Sequence, residues 1–434
     1  MKSLPSNVYA MRSRGAEGEV FYRNLLAKRG YISKYFPKAD KEPEEVYKAR
    51  PKVALPITAS MIDRVRDVAL NGLKVHVPDA ADGEKWELVK SSLNWSSFLK
   101  NTLAYTLAGG NYLVALKGDT VSIDGVVVPV VTFEPWRAQY LFKGDDGKSV
   151  GVEYMIDKNT GETSPVLQEQ AGDAKRQIVR KTYTPDFIVT ERGDSAEPSY
   201  FEHNMGFPPA VWFKSIDMEP GAVYALPYPE RFENLIIEYN QVFSQAVTGV
   251  RIFQNVWNTN KDGTGVGDPL AIMPGVINFL GENGTLEQAV RELNLEPEKY
   301  LLELTKNHIS EAGQVPPFFT GLESVGKIEA GVAMRIAFEP LIQLVDGILE
   351  VFVPALRLLV SKSIKAQYKV ESKDKSGEPV VEIDIPESVL PSDVDEEIAR
   401  LEKALLNEWA TPEEVKMKAR NLLGFEEEQL ARES

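Results

Sequence analysis

Two kinds of segment predict an α+β fold for this chain. Residues 112–154 alternate short apolar β runs with turn pairs at Gly118-Asp119, Asp124-Gly125 and Asp146-Gly147, and residues 177–191 read as two more strands. Asp-Gly between apolar runs is a strong hairpin signal. Elsewhere long stretches carry apolar residues at helical spacing, the longest from Ile328 to Val360: Val332, Ile336, Leu341, Leu344, Val345, Ile348, Phe352, Leu356 and Leu359. Strand and helix segments occur in separate blocks, the arrangement of an α+β chain.

The elements follow in order. Residues 1–25 are polar and without periodicity, which predicts a flexible N-terminal arm. Helices are expected around Phe21–Arg29, Ala59–Leu70 and Trp95–Leu107, the last stopped by Gly109-Gly110. Pro227 and Pro229 precede a helix over Glu230–Gly249 with an apolar stripe of Phe232, Leu235, Ile236, Tyr239, Val242, Phe243 and Ala246. Val250–Gly284 is strand-like and rich in Gly and Asn; Thr285–Glu311 reads as helix with a kink or break at Pro297. Gly313 and Pro316-Pro317 then favour a turn, and a polar loop precedes the longest helix. Pro340 and Pro354 lie within that helix and are expected to kink it without ending it. The last residues form separate helices: Ser392 or Asp393 can cap one, and Thr411-Pro412-Glu413-Glu414 is a capping box with Pro at the first helical position. Gly424 suits the end of that helix, and Glu371–Pro379 is a hydrophilic link to this helical cap.

Composition excludes several function classes. The chain has 434 residues, 43% of them apolar, enough for more than one domain with a sizeable core. Without cysteine there is neither disulfide nor thiol chemistry. A net charge of −15 argues against a free-standing DNA-binding protein, because duplex affinity comes largely from phosphate neutralisation. That charge is uneven: residues 1–53 hold 12 Lys/Arg against 6 Asp/Glu, and residues 393–434 hold the reverse. These are either ordinary solvated surfaces or a basic arm for nucleic acid or capsid and an acidic cap. No N-terminal apolar region resembles a signal peptide. The most apolar 20-mer, Leu341–Val360, contains Asp346, Glu350 and Arg357, which speaks against a membrane span.

Catalytic motifs fail on inspection. Gly147-Lys148-Ser149 resembles the end of a phosphate-binding loop, but Phe142 stands where the first glycine is required and Asp145-Asp146 would repel phosphate. Gly263-Thr264-Gly265-Val266-Gly267 follows no strand-to-helix unit. His76, His203 and His308 have no metal-ligand spacing, and no Gly-x-Ser-x-Gly elbow is present. Neither a catalytic residue, a metal nor a cofactor is expected, and the chain is read as not an enzyme.

One run of residues carries a family resemblance. Ile309, Ser310, Gly313 and Pro316, a Gly/Ser-containing loop, then Gly331-Val332-Ala333-Met334-Arg335 and a long apolar helix resemble the portal proteins of tailed bacteriophages. Gly206-Phe207-Pro208-Pro209-Ala210-Val211-Trp212-Phe213 resembles the family's strand before its stem, and Gly110-Asn111-Tyr112-Leu113-Val114 with Val131-Thr132-Phe133-Glu134-Pro135 its wing sheet. The matching segments span about 57–360. The absence of cysteine and the three histidines fit a thermophilic phage.

The resemblance implies a portal fold: a flexible arm over 1–25, a wing over 26–227, a stem helix over 228–250, a clip over 251–284, a second stem helix over 285–311, a return to the wing over 312–378 with a tunnel loop at 322–329 and the kinked helix 328–360, and a helical crown over 379–434. It implies a ring, in the family of twelve subunits, forming the channel for packaging and ejection of double-stranded DNA at the portal vertex of a virion, assembled in the host cytoplasm. Implied partners are the large terminase, the major capsid and scaffolding proteins, and head-completion or adaptor proteins, with no membrane. The tunnel loop would comprise Glu323, Ser324, Val325, Gly326, Lys327 and Ile328. Lys327 could touch phosphates or pair with Glu323 or Glu329. Val325 and Ile328 either face the channel or tuck beneath the loop. Asn255, Trp257, Asn258 and Lys261 are clip candidates for motor docking, Trp257 because an exposed aromatic in an Asn-rich loop often marks an interface. Another virion component, such as a head-tail adaptor or baseplate subunit, is the alternative reading.

Overall fold

The computed structural model describes residues 5–28, 30–38, 44–123, 126–144, 146, 148–165, 176–193, 197–203, 205–216, 224–253, 257–260, 285–288, 295–316, 331–373, 375 and 377–385. In chain order the elements are α1 (Ser6–Tyr22), α2 (Ile32–Tyr35), α3 (Glu44–Ala49), α4 (Ile57–Leu70), β1 (Lys74–His76), α5 (Ala80–Ser91), α6 (Trp95–Gly109), β2 (Asn111–Ile123), β3 (Val126–Arg137), β4 (Leu141–Lys143) and β5 (Val150–Asp157). They continue as β6 (Thr163–Pro165), β7 (Arg176–Tyr183), β8 (Phe187–Arg192), β9 (Ser199–Glu202), β10 (Ala210–Lys214), α7 (Glu233–Phe253), β11 (Trp257–Asn260), β12 (Thr285–Gln288), α8 (Glu296–Gly313), α9 (Gly331–Val370) and β13 (Glu382–Asp384). The fold is α+β.

Among the described residues, two strand pairs, β1–β13 and β11–β12, and two larger antiparallel sheets form its β part. One has the order β10-β2-β3; the other is six-stranded along β4-β5-β7-β8-β9, with β6 also on β5. Their facing side chains, among them Leu113, Val152, Tyr154 and Tyr183, make a small second core. The main core lies on the other face of the three-stranded sheet, where α9 packs Leu341, Ile348, Phe352, Leu356 and Leu359 with α4, α5 and α6. Gln367, fully buried on α9, closes one stretch of the edge strand β3: its amide oxygen accepts from Val131 N (2.9 Å) and its amide nitrogen donates to Pro129 O (3.0 Å). Pro129 tolerates this edge position because it has no N–H to leave unpaired.

Several expectations are corrected. Residues 6–22 are a docked helix and not a flexible arm: Val8, Arg12, Glu19, Val20 and Phe21 of α1 are buried against α6 and its neighbours. Helix α1 ends at Tyr22 and turns follow, so no helix runs over Phe21–Arg29. Gly118-Asp119 is not a turn but the middle of β2, paired with Val131 and Val130. A Cβ on Gly118 would come within 3.1 Å of Val370, so that glycine serves a close approach to the end of α9. The Asp146 turn does join two strands: its carboxylate accepts from Lys148 N, Ser149 N and Ser149 Oγ, bonds that hold it below the usual Asp range.

Further on, the helix expected over 285–311 starts only at Glu296, with Pro297 in its first turn, where the missing N–H costs nothing. Thr285–Gln288 is a strand paired with Trp257–Asn260. The long helix runs to Val370. The crown boundary at 379 is too early: β13 pairs with β1 in the body of the protein, and the hydrophilic link before it is tied down by Lys85–Glu371 (2.8 Å) and Lys375–Asp82 (2.6 Å). The capping box at Thr411 lies outside the described residues. No helix among the described residues is long and apolar enough to cross a membrane.

Glu19 supplies a pH test of α1 docking. Its carboxylate takes one bond from Arg137 (3.1 Å), while Oε1 is buried with no hydrogen-bond partner. Burial, opposed by Arg137, pushes its pKa up to about 7. A raised carboxyl pKa means the folded state prefers the protonated acid, so stability is lost as pH rises from the unfolded value of 4.5 through about 7. Glu19→Gln removes that dependence. Between pH 5 and 8 the wild type should lose about 2–3 kcal/mol relative to Glu19→Gln. Guanidinium titrations of both proteins at each pH, at fixed protein concentration, check this; parallel pH curves would refute it.

Candidate functional site

The candidate site is the end of α8 and the start of α9, with the helical pair α7–α8. Helix α8 ends where its sequence says it should. Gln314 takes a left-handed conformation (φ 55°), Val315 N bonds back to Ser310 O (3.1 Å), and both Ile309 and Val315 are buried. Two side chains from the 228–231 turn clamp this end: the Tyr228 hydroxyl donates to Gly313 O, and Arg231 donates to Gln314 Oε1 (2.9 Å). Tyr228 is 2% exposed, and burial raises its hydroxyl pKa far above the ordinary value. Gly313 is needed because a Cβ there would meet Met61 Cε and the Tyr228 hydroxyl.

Glu323, Ser324, Val325, Gly326, Lys327 and Ile328 lie outside the described residues; the structure places only their two flanks, Pro316 and Gly331. From Gly331, α9 runs 40 residues without a break. Pro340 and Pro354 lie inside it and both are exposed. Of the carbonyls deprived of a donor, that of Glu350 belongs to an exposed residue, where water can satisfy it. The same exposed stripe carries Glu339, Asp346 and Glu350.

Helix α7 is bound to the body by polar side chains in its middle turns. Leu55 N donates to Asn240 Oδ1 (2.9 Å), Val53 N to Ser244 Oγ (3.0 Å), and Gln241 to Tyr35 O (2.9 Å). On the same turns Val242, Phe243 and Ala246 are only half-buried, although α8 packs beside α7. On α8, Tyr300, Leu301 and Leu304 are exposed, Tyr300 by 68%. The pair thus leaves an apolar surface that the described part of one chain does not cover. Among the clip candidates, Trp257 and Asn258 sit on β11 opposite Gln288 and Glu287, while Asn255 and Lys261 lie outside the described residues.

The rejected catalytic candidates stay apart. His203 uses both ring nitrogens, Nδ1 accepting from Met205 N (3.2 Å) and Nε2 donating to Thr184 O (3.0 Å), and burial lowers its pKa. His308 lies exposed beside Glu311 on α8, and His76 is exposed on β1.

Three organising groups escaped the sequence reading. Lys362 on α9 donates to Pro208 O (2.8 Å) and Ala210 O (2.9 Å), fastening the helix to the lead-in of β10; burial lowers its pKa to about 8. Gln367 closes the β3 edge, and Glu153 bridges Arg12 and Arg180. Only Glu153 left a signal, as a carboxylate inside the apolar run Val150–Ile156.

No protein-family model matches the chain. No curated protein sequence matches it either. Among solved structures the chain is similar to one described as the neck of a native GTA particle computed with C12 symmetry, at 14% identity and a TM-score of 0.43 over 86% of this chain and 90% of that one. It is similar to the neck of an empty GTA particle computed with C6 symmetry, at 13% identity and a TM-score of 0.45 over 87% and 92%. A third, the virion of a native gene transfer agent particle, gives 12% identity and a TM-score of 0.44 over 94% and 99%.

Proposed function

We propose that the chain is the subunit of a closed portal ring of a tailed-phage-like particle, through which double-stranded DNA is packaged and released. The coarser form of this reading, a structural subunit of a phage-like particle, is the level at which it meets the descriptions of those neck and virion structures. The observation that carries the finer form is the junction of α8 and α9. The end of α8 is clamped, the 40-residue helix α9 begins at Gly331, and the sequence Glu323–Ile328 lies between them in the chain. The half-covered α7–α8 pair supports a neighbouring subunit against it, and a cyclic ring requires two different contact patches on each subunit. Net charge −15 per chain suits a wall along which DNA slides, since a basic wall would bind phosphates and stall it. In this reading Trp257, Asn258 and their strand face the motor and adaptor proteins, and capsid and scaffolding proteins meet the outside of the ring.

Negative-stain microscopy with light scattering tests the reading: the expected result is a ring with a through-channel. A species of 48.3 kDa alone, across concentration and salt, would overturn it. The loop has its own test. Val325→Ala with Ile328→Ala should leave ring stability nearly unchanged and shift packaging efficiency. A loss of about 2 kcal/mol or more per site, the range for an emptied core position, with packaging falling only as rings are lost, would place both residues beneath the loop.

A further inference from the structure

We propose that residues 371–385, the stretch that turns back after α9, form a strap that is clasped to the body by charge and opens as one unit while α9 stays folded. The reversal is built into the backbone. Ser372 takes a left-handed conformation (φ 59°), and Gly377 also has a positive φ (92°). Ser372 N bonds to Lys369 O (2.9 Å) and Lys373 N to Tyr368 O (2.8 Å), which closes the end of α9. The chain then returns past Lys365, which pairs with Glu378, and reaches the three register pairs of β13 with β1.

Little apolar burial holds this stretch. Pro379 and Val381 are buried and Ile383 packs partly against the core, but Val380 and Ile385 are 59% and 46% exposed. Strands β1 and β13 have three residues each and, among the described strands, pair only with each other. A two-stranded pair of this size is marginal by itself. The remaining ties are ionic and meet around the Tyr368 ring. Lys375 donates to Asp82 (2.6 Å) and Lys85 to Glu371 (2.8 Å), and the two ammonium groups lie 5.6 and 5.8 Å from the centre of that ring. The Tyr368 hydroxyl donates to Asp82 (3.0 Å), and Glu371 also accepts from Gln367 and Lys373 (both 3.1 Å). Asp82, on the first turn of α5, has a side chain only 2% exposed, so losing Lys375 leaves a buried carboxylate short of its counter-charge. The lysines themselves reach water, and ion pairs that water reaches are weak beside a packed core. The strap is therefore the part of this region that opens first. Residues 386–434 follow it in the chain. With the strap closed they start beside β1; with it open they gain a tether of roughly 50 Å at full extension. The device does not depend on the ring reading.

Amide hydrogen exchange of the full chain, followed by mass spectrometry, tests this. Amides of residues 371–373 and of β13 should exchange through an opening that leaves residues 344–360 of α9 protected. Lys375→Gln and Lys85→Gln should each raise that exchange rate at least about tenfold, as expected when a buried carboxylate loses a charged hydrogen-bond partner, and leave α9 unchanged. The chain has no cysteine, so His76→Cys with Glu382→Cys, exposed register partners on β1 and β13, can lock the strap through one disulfide. Oxidised, this variant should exchange at least about tenfold more slowly than the parent in β13, and reduction should restore the faster rate. Strap exchange that occurs only together with α9, equal rates in the parent and the lysine variants, or no slowing on oxidation would overturn the proposal.

Discussion

Replacing Glu153 by alanine should cost about 3–5 kcal/mol, the range for removing one partner of a buried ion pair. Its side chain is 2% exposed and joins three parts of the molecule. Oε1 receives Arg12 Nη1 (3.0 Å) from α1, Oε2 receives Arg180 Nε (3.0 Å) and Nη2 (2.7 Å) from β7, and Arg12 Nη2 also donates to the Glu153 carbonyl (2.8 Å). The Arg12 side chain is 4% exposed and that of Arg180 10%. Without the carboxylate the two buried guanidiniums lose the anion they share, and Arg180 keeps Glu191 (3.6 Å), a partner that is itself 35% exposed. Arg12 keeps its bond to Gln139 O (2.7 Å), which does nothing for the charge. Glu153→Gln should fall between, because it keeps a hydrogen-bond acceptor and loses the charge. Replacing Arg12, Glu153 and Arg180 together by apolar residues of similar volume should cost far less than Glu153→Ala, since it removes the desolvation penalty as well as the attraction. Chemical unfolding of the three variants orders them; a Glu153→Ala protein within about 1 kcal/mol of the parent would mean that water reaches the site.

Helix α1 also shows where reading the sequence stops. Elements whose buried face is apolar were legible: α4, α6 and the β7–β8 hairpin follow the expected boundaries closely, because burial of Met61, Ile62 and Val65 or Leu103 and Leu107 leaves a periodic trace. Helix α1 buries Arg12, Gly15, Gly18 and Glu19 instead, a face that reads as polar and flexible. Its partners, Glu153 and Arg137, lie more than a hundred residues away, and no local pattern announces a contact of that separation. Gly118 misled for the opposite reason: its composition is that of a turn, but its need for a glycine comes from Val370. Pro297 was placed inside a helix because the apolar pattern after Thr285 continues across it. At the candidate site, the turn at Gly313 and the passage of α9 through two prolines were anticipated by turn chemistry and periodicity, whereas the clamp from Tyr228 and Arg231, more than eighty residues away, was not. The apolar stripe of α7 left two readings open, a core helix or one packed partly on a neighbour, since periodicity shows that a face is apolar and not what covers it.

The glycines of α1 lead to the second large effect: Gly18→Ala should destabilise the protein although Gly18 lies inside a helix. In a helix interior alanine is favoured over glycine by about 1 kcal/mol. Gly347 in α9 shows the ordinary case: a Cβ there meets nothing within 4 Å, so Gly347→Ala should stabilise by about 0.5–1 kcal/mol. A Cβ on Gly18 would instead lie 2.0 Å from Ala108 O and 3.0 Å from Pro227 Cβ. The first of these is backbone of α6 and cannot rotate away. Gly15 approaches equally closely, with Ala138 Cβ at 2.5 Å and Gly109 O at 3.0 Å, so α1 cannot slide along α6 to escape. The helices must separate, which loosens Phe21 in the core and strains the bonds of Arg12 and Glu19. Overpacking of this kind costs about 1–3 kcal/mol or more, enough to outweigh the gain in helix propensity. Thermal unfolding of Gly18→Ala and Gly347→Ala should therefore move in opposite directions from the parent. If both rise together, α1 does not pack on α6 through its glycines.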